Sequence, residues 1–303
     1  MKKFDLQLFA EGNNNDSAVR TYQKEFKSLL QAVFKKQSYF GDFFGGGIEA
    51  LDGVQHNETA FYVKTSDSPV VFGDAYSKDE NTAFGTGTGN SSRFGERKEI
   101  IYVDTPVNYT WGWTFHEGID RHTVNNGFDV AVADRLDLQA QAKTQKFNAK
   151  HSAFIAASAG KSETLSGYTA EAVLTLFDAL SKYFTNIHAI GEKVAKVNAD
   201  LYNAIVNHPM TNTGKGSAAN IDSNGILKFK GFVIEEIPED VLAEGCAAYA
   251  YIRGVAKAFT GINTARTVES EDFDGVALQG AGKAGEYIPE DNKKAVVKVV
   301  IGA

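Results

Sequence analysis

From Phe128 to Ala159 the chain contains neither proline nor glycine, the two residues that most readily end a helix. Phe128, Val132, Leu136, Ala140, Phe147, His151 and Phe154 fall near one stripe of a helix across this run. The run predicts one helix of about 30 residues, roughly 45 Å long at 1.5 Å per residue. That exceeds the ~10–14 residues of an average globular helix. It reads as a spine to which other elements attach, and Gly160 ends it. A fold that houses such a rod must also dispose of two long stretches before it that have no local means of burying themselves.

The first stretch is an arm. Residues 4–10 form a short apolar plug, followed by the polar breaker Glu11-Gly12-Asn13-Asn14-Asn15-Asp16. Asp16 or Ser17 can cap a helix whose apolar face carries Val19, Tyr22, Phe26, Leu29, Leu30 and Val33. Its other face is basic (Arg20, Lys24, Lys27, Lys35, Lys36), which suits a solvated face or an inner arm touching nucleic acid. Tyr39, Phe40, Phe43 and Phe44 then sit among glycines and must insert into the body of this chain or into a neighbour.

The second stretch is an excursion over residues 57–105. Strand-like segments at 61–63, 70–72 and 100–103 flank a polar, Gly-rich centre at 73–97. A structureless loop of ~25 residues is unusual in a compact domain, and a lone two-stranded hairpin is marginal in water. Such an excursion becomes ordered by lying on another subunit.

The rest reads as α+β. Residues 107–115 alternate Val107, Tyr109, Trp111, Trp113 and Phe115 with small or polar residues, a strand buried on one face. Thr169 opens a helix with Val173, Leu174, Phe177, Leu180 and Phe184 on one side. Residues 193–197 are strand-like, 199–207 make a short helix before Pro209, and 211–225 form a loop. Residues 229–237 form a strand pair turning at Gly231, 246–260 are apolar and small, and 294–301 make a last strand.

Composition excludes several classes. The 303 residues include one cysteine, so neither a disulfide framework nor a multi-cysteine zinc site is available. Net charge is −7, which does not fit a basic nucleic-acid clamp. No apolar run approaches the ~20 residues of a membrane helix. The opening residues are too short and polar for a secretory signal, so the chain is expected to assemble inside a cell.

No local motif carries chemistry. Gly160-Lys161-Ser162 has the tail of a phosphate loop, but Ile155 occupies the leading glycine position. Gly85, Gly87 and Gly89 follow no strand-to-helix unit. His116 and His122 would lie about 240° apart on a helix and cannot share a metal from one face. Asp272-Phe273-Asp274-Gly275 and Asn220-Ile221-Asp222-Ser223-Asn224-Gly225 lack the bidentate glutamate of a calcium loop and read as turns. Cys246 reads as a buried small hydrophobe. No catalytic residue, cofactor or metal is expected.

The termini resemble a known family. Met1-Lys2-Lys3-Phe4-Asp5-Leu6-Gln7-Leu8-Phe9-Ala10-Glu11 looks like the opening of head proteins from tailed phages of Gram-positive hosts. The segments 250–259, 275–288 (Gly275-Val276-Ala277-Leu278-Gln279-Gly280-Ala281-Gly282-Lys283-Ala284-Gly285-Glu286-Tyr287-Ile288) and 291–296 are similar to the C-terminal ends of their major capsid proteins. The resemblance implies the Hong Kong 97-type fold, with its parts in order. These are an N-terminal arm at 1–54, an extended loop with its base strands at 55–116, a peripheral domain with the spine helix at 117–164, an axial domain at 165–255, and a return to the peripheral domain at 256–303.

That resemblance implies a structural subunit, not an enzyme. Pentamers and hexamers would close an icosahedral head around double-stranded DNA, held by weak, non-specific contact. Many weak contacts between copies add up. Phe40, Phe43, Phe44, Phe61, Tyr62, Phe72, Phe84 and Phe94 are the candidate inter-subunit contacts. Only ~50 residues precede the extended loop and they show no long coiled coil, so a separate scaffolding protein is implied. A portal protein and a maturation protease are further implied partners, with the virion as destination and the host cytoplasm as the place of assembly. Lys64, Lys78 and Asn292 have the residue types of a subunit crosslink, but nothing aligns them with that chemistry. Rival readings are a nanocompartment shell, another virion component and a soluble hydrolase.

Overall fold

The computed structural model describes residues 37–51, 58–66, 68, 70, 72–74, 76, 78, 94, 99–124, 127–209, 220–221 and 227–302. The arm helix expected after residue 17, the Gly-rich centre at 85–92 and Phe84 lie outside them.

In chain order, β1 (Ile48–Ala50), β2 (Thr59–Thr65), β3 (Val103–Asn108) and β4 (Trp111–Asp120) precede helix α1 (Phe128–Ser158). Next come β5 (Lys161–Leu165), α2 (Ala170–Asn186), β6 (Lys193–Val197), α3 (Ala199–Val206), β7 (Asn220–Ile221), β8 (Leu227–Phe229) and β9 (Phe232–Glu236). The chain finishes with β10 (Cys246–Ile252), β11 (Lys257–Glu269), β12 (Gly275–Tyr287), α4 (Glu290–Lys293) and β13 (Val296–Ile301). The architecture is α+β.

The chain divides into two compact units, His56–Tyr109 and all the rest. In the smaller unit β2 and β3 pair antiparallel, with Phe61 opposite Val107 and Thr65 opposite Val103. Thr59 Oγ1 donates to Asn108 Oδ1 at 3.1 Å, and the Thr65 and Thr105 hydroxyls share a hydrogen bond of 2.9 Å. Val70, Phe72 and residues 100–102, expected in strands, lie outside regular structure.

The larger unit is built on two sheets. One has seven strands in the order β5-β13-β10-β6-β9-β8-β7, and the other four in the order β1-β11-β12-β4. The centre of the larger sheet, Cys246–Ile252 and Lys193–Val197, is almost continuously buried, so Cys246–Ile252 is a run of small and apolar residues, while the neighbouring strand Lys193–Val197 carries a buried lysine, Lys196. Helix α2 covers it. Thr169 caps α2 by accepting from Ala172 N–H at 3.3 Å. Val173, Leu176, Phe177, Leu180 and Phe184 then face inward. Phe177 meets Phe229 and Phe232 edge to face, with centroids 5.1 and 5.7 Å apart.

Two expectations need correction. The alternation over 107–115 is not one strand. It breaks at Tyr109-Thr110, where Tyr109 N–H donates to Glu58 O and Thr110 N–H to Ala284 O. The polar/apolar period continues across the break, so sequence alone could not show it. After the break, β4 starts at Trp111 and belongs to the four-stranded sheet of the larger unit. Second, α1 is one helix of 31 residues, yet its buried positions are Ala131, Phe147, Asn148, His151, Ser152, Ile155 and Ser158. Only Phe147 and His151 of the expected stripe are among them. Leu136 is exposed, because burial is concentrated in the C-terminal part of the rod.

Candidate functional site

Among the described residues no group of three or more His, Cys, Asp or Glu side chains gathers to hold a metal. The motif fragments have local structural roles. Gly160 N–H bonds to Lys293 O and Val296 O, and Lys161 pairs with Glu163 at 2.5 Å at the start of β5. Asp274 pairs with Arg121 at 3.2 Å. His122 lies 3.5 Å from the same aspartate, and His116 bonds to Gln279. Asn292 Nδ2 donates to Val255 O, and Lys64 pairs loosely with Asp104 at 3.8 Å.

The strap at 37–51 is a built feature. Phe40, Phe43 and Phe44 are buried in this chain's own core, with Phe43 at 0% exposure. They are therefore not available as inter-subunit contacts, and of the two hosts open to them the structure shows the chain itself. Phe43 packs edge to face on Phe44 (5.0 Å) and Tyr251 (4.8 Å). Between them Asp42 enters a buried polar cluster. It lies 3.2 Å from Lys196 Nζ and accepts from the Tyr251 hydroxyl at 3.1 Å, and Glu235 also binds Lys196. Burial, followed by the adjacent Asp42 charge, pushes the Tyr251 hydroxyl well above its ordinary range. The lysine and carboxylates satisfy each other there, so removing one partner would strand a buried charge. Gly45, Gly46 and Gly47 all adopt positive φ and turn the chain into β1.

A second cluster fixes α1 to the four-stranded sheet. Glu286 on β12 accepts from Trp111 Nε1 at 3.0 Å and meets His151 Nδ1 at 3.0 Å, with both the Glu286 and His151 side chains 4% exposed. Further along α1, Arg135 makes a two-pronged bond of 2.6 Å to each oxygen of Glu117 on β4, joined by Gln139 at 2.6 Å. The Arg135 bond holds the Glu117 carboxyl below its usual range. Lys143 lies over Trp113 (4.5 Å) and donates to Asn263, and burial pushes its ammonium down.

Glycine positions on β12 answer to aromatic rings across the strand. A Cβ at Gly282 would meet Trp113 at 2.1 Å, and one at Gly280 would meet Phe115 at 2.2 Å. The glycine-rich stretch at 275–288 is thus a strand made smooth for its neighbours.

The exposed apolar surface lies elsewhere. In the smaller unit Tyr62 is 66%, Phe72 94% and Phe94 86% exposed, and Val70, Ile100, Ile101, Tyr102 and Val103 are also open to solvent. Phe61 is half-buried on β2. This is a large apolar area for one small unit, of the kind that marks an interaction site.

No protein-family model and no curated protein matches the chain. Solved structures do. The capsid of cyanophage P-SCSP1u is similar with a TM-score of 0.67 at 12% identity, covering 92% of this chain and 92% of that one. The mature capsid of bacteriophage PhiM1 gives 0.65 at 10% identity, over 91% and 90%. A structure from Mycobacterium phage Che8 gives 0.60 at 14% identity, over 90% and 95%. The chain has a phage capsid fold. It is the Hong Kong 97-type fold that the resemblance of the termini implied. No described helix is long and apolar enough to cross a membrane.

Proposed function

We propose that this chain is the major capsid protein of a tailed phage, a structural subunit without enzymatic activity. The observation that carries the reading is end-to-end likeness to a capsid subunit, 92% of both chains. Copies form pentamers and hexamers that close an icosahedral head around double-stranded DNA. The expected division stands within this proposal: peripheral domain at 117–164 and 256–303, axial domain at 165–255. The extended loop with its base strands is residues 55–116, most of it the compact unit His56–Tyr109, and it laps over a neighbour. Phe61, Tyr62, Phe72, Phe84 and Phe94 make the contacts there. A two-stranded unit with so much apolar surface gains stability from such a cover.

Net charge of −7 suits a container that holds DNA without gripping it, since phosphate binding requires cationic groups. A separate scaffolding protein, a portal and a maturation protease complete the proposed partners, with assembly in the host cytoplasm and residence in the virion. The test is negative-stain electron microscopy of the expressed chain, alone and with its candidate scaffolding partner. Closed shells or pentamer and hexamer rings are expected. A uniform monomer or dimer under both conditions would overturn the proposal.

A further inference from the structure

Among the described residues, strand β11 is paired on one side along its length and on the other only at its start. Its inner edge meets β12 from Lys257–Tyr287 to Glu269–Val276. Its outer edge meets β1 at Ala258, Phe259 and Thr260, where Thr260 O accepts from Leu51 N–H at 2.9 Å. Beyond an irregularity after Thr260 the register with β12 is unbroken from Asn263 to Glu269. All seven of these residues are exposed, on both faces of the strand. Among the described residues no strand lies along this outer edge.

The direction of the free groups follows from the hairpin. Ser270 N–H donates to Gly275 O at 2.9 Å, so position 270 points its backbone at β12. Backbone direction alternates along a strand. Positions 264, 266 and 268 therefore face β12, and Asn263, Ala265, Thr267 and Glu269 turn their N–H and C=O groups outward. Natural edges are usually blunted with charged side chains, proline or a bulge. Asn263-Thr264-Ala265-Arg266-Thr267-Val268-Glu269 has no proline and its ladder shows no bulge, and its two charges, Arg266 and Glu269, are held by Gln279 and Arg121 of the same chain.

We infer that this edge pairs antiparallel with the same edge of a second copy, about a two-fold axis through Thr267. The inference rests on the assembly reading, in which every copy presents the same edge. A two-fold axis normal to the sheet keeps each face on its own side, so paired positions have equal parity. Only three registers come close. Centring on Arg266 sets two guanidinium groups directly opposite each other, which is destabilising. Centring on Ala265 brings Ser270 onto Thr260 of the second copy, whose outward carbonyl is already taken by Leu51. Centring on Thr267 pairs Ala265 with Glu269 and Thr267 with itself, all outward-facing positions. It sets Arg266 against Val268 and leaves the β1 edge clear. Neither side chain charge loses its present partner, since Arg266 bonds to Gln279 and Glu269 to Arg121 within their own chain.

The register is read by crosslinking in a Cys246→Ser background, which removes the one native cysteine. Directly opposed, hydrogen-bonded residues have Cα atoms about 5.5 Å apart, within disulfide reach. Thr267→Cys in assembled particles is expected to convert on oxidation to a covalent dimer at twice 32.8 kDa, reversed by reductant. Ala265→Cys is expected to stay monomeric. A monomeric Thr267→Cys, or dimers formed equally by Ala265→Cys, would overturn the pairing. Thr267→Pro deletes only an outward N–H, so it is expected to melt like the parent chain and form rings that do not close. Shells of Thr267→Pro identical to the parent's would also overturn it. The two readings fail separately. Shells with a monomeric Thr267→Cys remove the strand pairing alone. A Thr267→Cys dimer from a chain that never builds particles removes the shell and keeps the pairing.

Discussion

Phe43→Ala separates a residue that holds this chain together from one that holds copies together. Phe43 is fully buried, so the side chain forfeits a transfer term of about 1.5–3 kcal/mol. The cavity left beside Phe44 and Tyr251 raises the cost of a Phe→Ala change to about 3–5 kcal/mol. At roughly 2–4 °C per kcal/mol for a chain of this size class, the expected fall in Tm is about 6–20 °C. The assay is differential scanning calorimetry or urea unfolding of the unassembled chain, where no neighbour contributes. Phe72→Ala is the paired control. Its ring is 94% exposed, so it should shift unassembled stability by no more than about 0.5 kcal/mol while impairing assembly. A Phe43→Ala chain that melts like the parent but fails to assemble would refute the core placement and restore Phe43 to the interface.

Three other outcomes are expected. Glu286→Ala leaves the buried His151 ring and the Trp111 N–H without their shared partner and should cost about 1–3 kcal/mol in urea unfolding, with Glu286→Gln losing less. Glu117 titrates below its ordinary 4.5 because of Arg135, so its ion pair stabilises the fold above that value. That contribution is lost as pH falls through the native pKa. Glu117→Gln should flatten this acid limb by up to about 1 kcal/mol, a small figure because Glu117 is 33% exposed, and unfolding midpoints between pH 3 and 6 (a range set around the ordinary value) would show it. His188 closes α2 at φ 52, a left-handed position that costs a residue with a Cβ about 1 kcal/mol. His188→Gly should therefore raise the urea midpoint, and an unchanged or lowered midpoint would contradict the strain.

The sequence was most legible where one local rule acts alone. Gly127 and Gly160 bracket the spine helix, Thr169 caps α2, and Gly231 turns β8 into β9. It was least legible where the reason for a residue lies on another strand. Strands β11 and β12, the longest among the described residues, were read as little more than the C-terminal match. The Trp113 ring requires Gly282, the Phe115 ring requires Gly280, and the Ile119 carbonyl requires Gly275, all partners more than 150 positions away in the chain. The aromatic strap shows the same limit. Sticky phenylalanines were evident, but their host was not, since the receiving residues follow some two hundred positions later. The exposed aromatics of the smaller unit were foreseen from the absence of any local partner, which a sequence does display.

The strap also sets a clock. Asp42 and Tyr251, which meet in the finished core, are separated by 209 residues. A ribosome adds about 5–20 residues per second, so Phe40, Phe43 and Phe44 leave the exit tunnel about 10–40 s before their host strand is made. Throughout that interval the nascent chain carries three rings bare that are buried in the finished core. A polysome brings several such chains side by side, each with the same uncovered plug and none with a socket to receive it. The order of synthesis thus leaves the strap unseated until β10 follows it, and the core it joins closes later still, when Val296, Val297 and Val299 of β13 arrive.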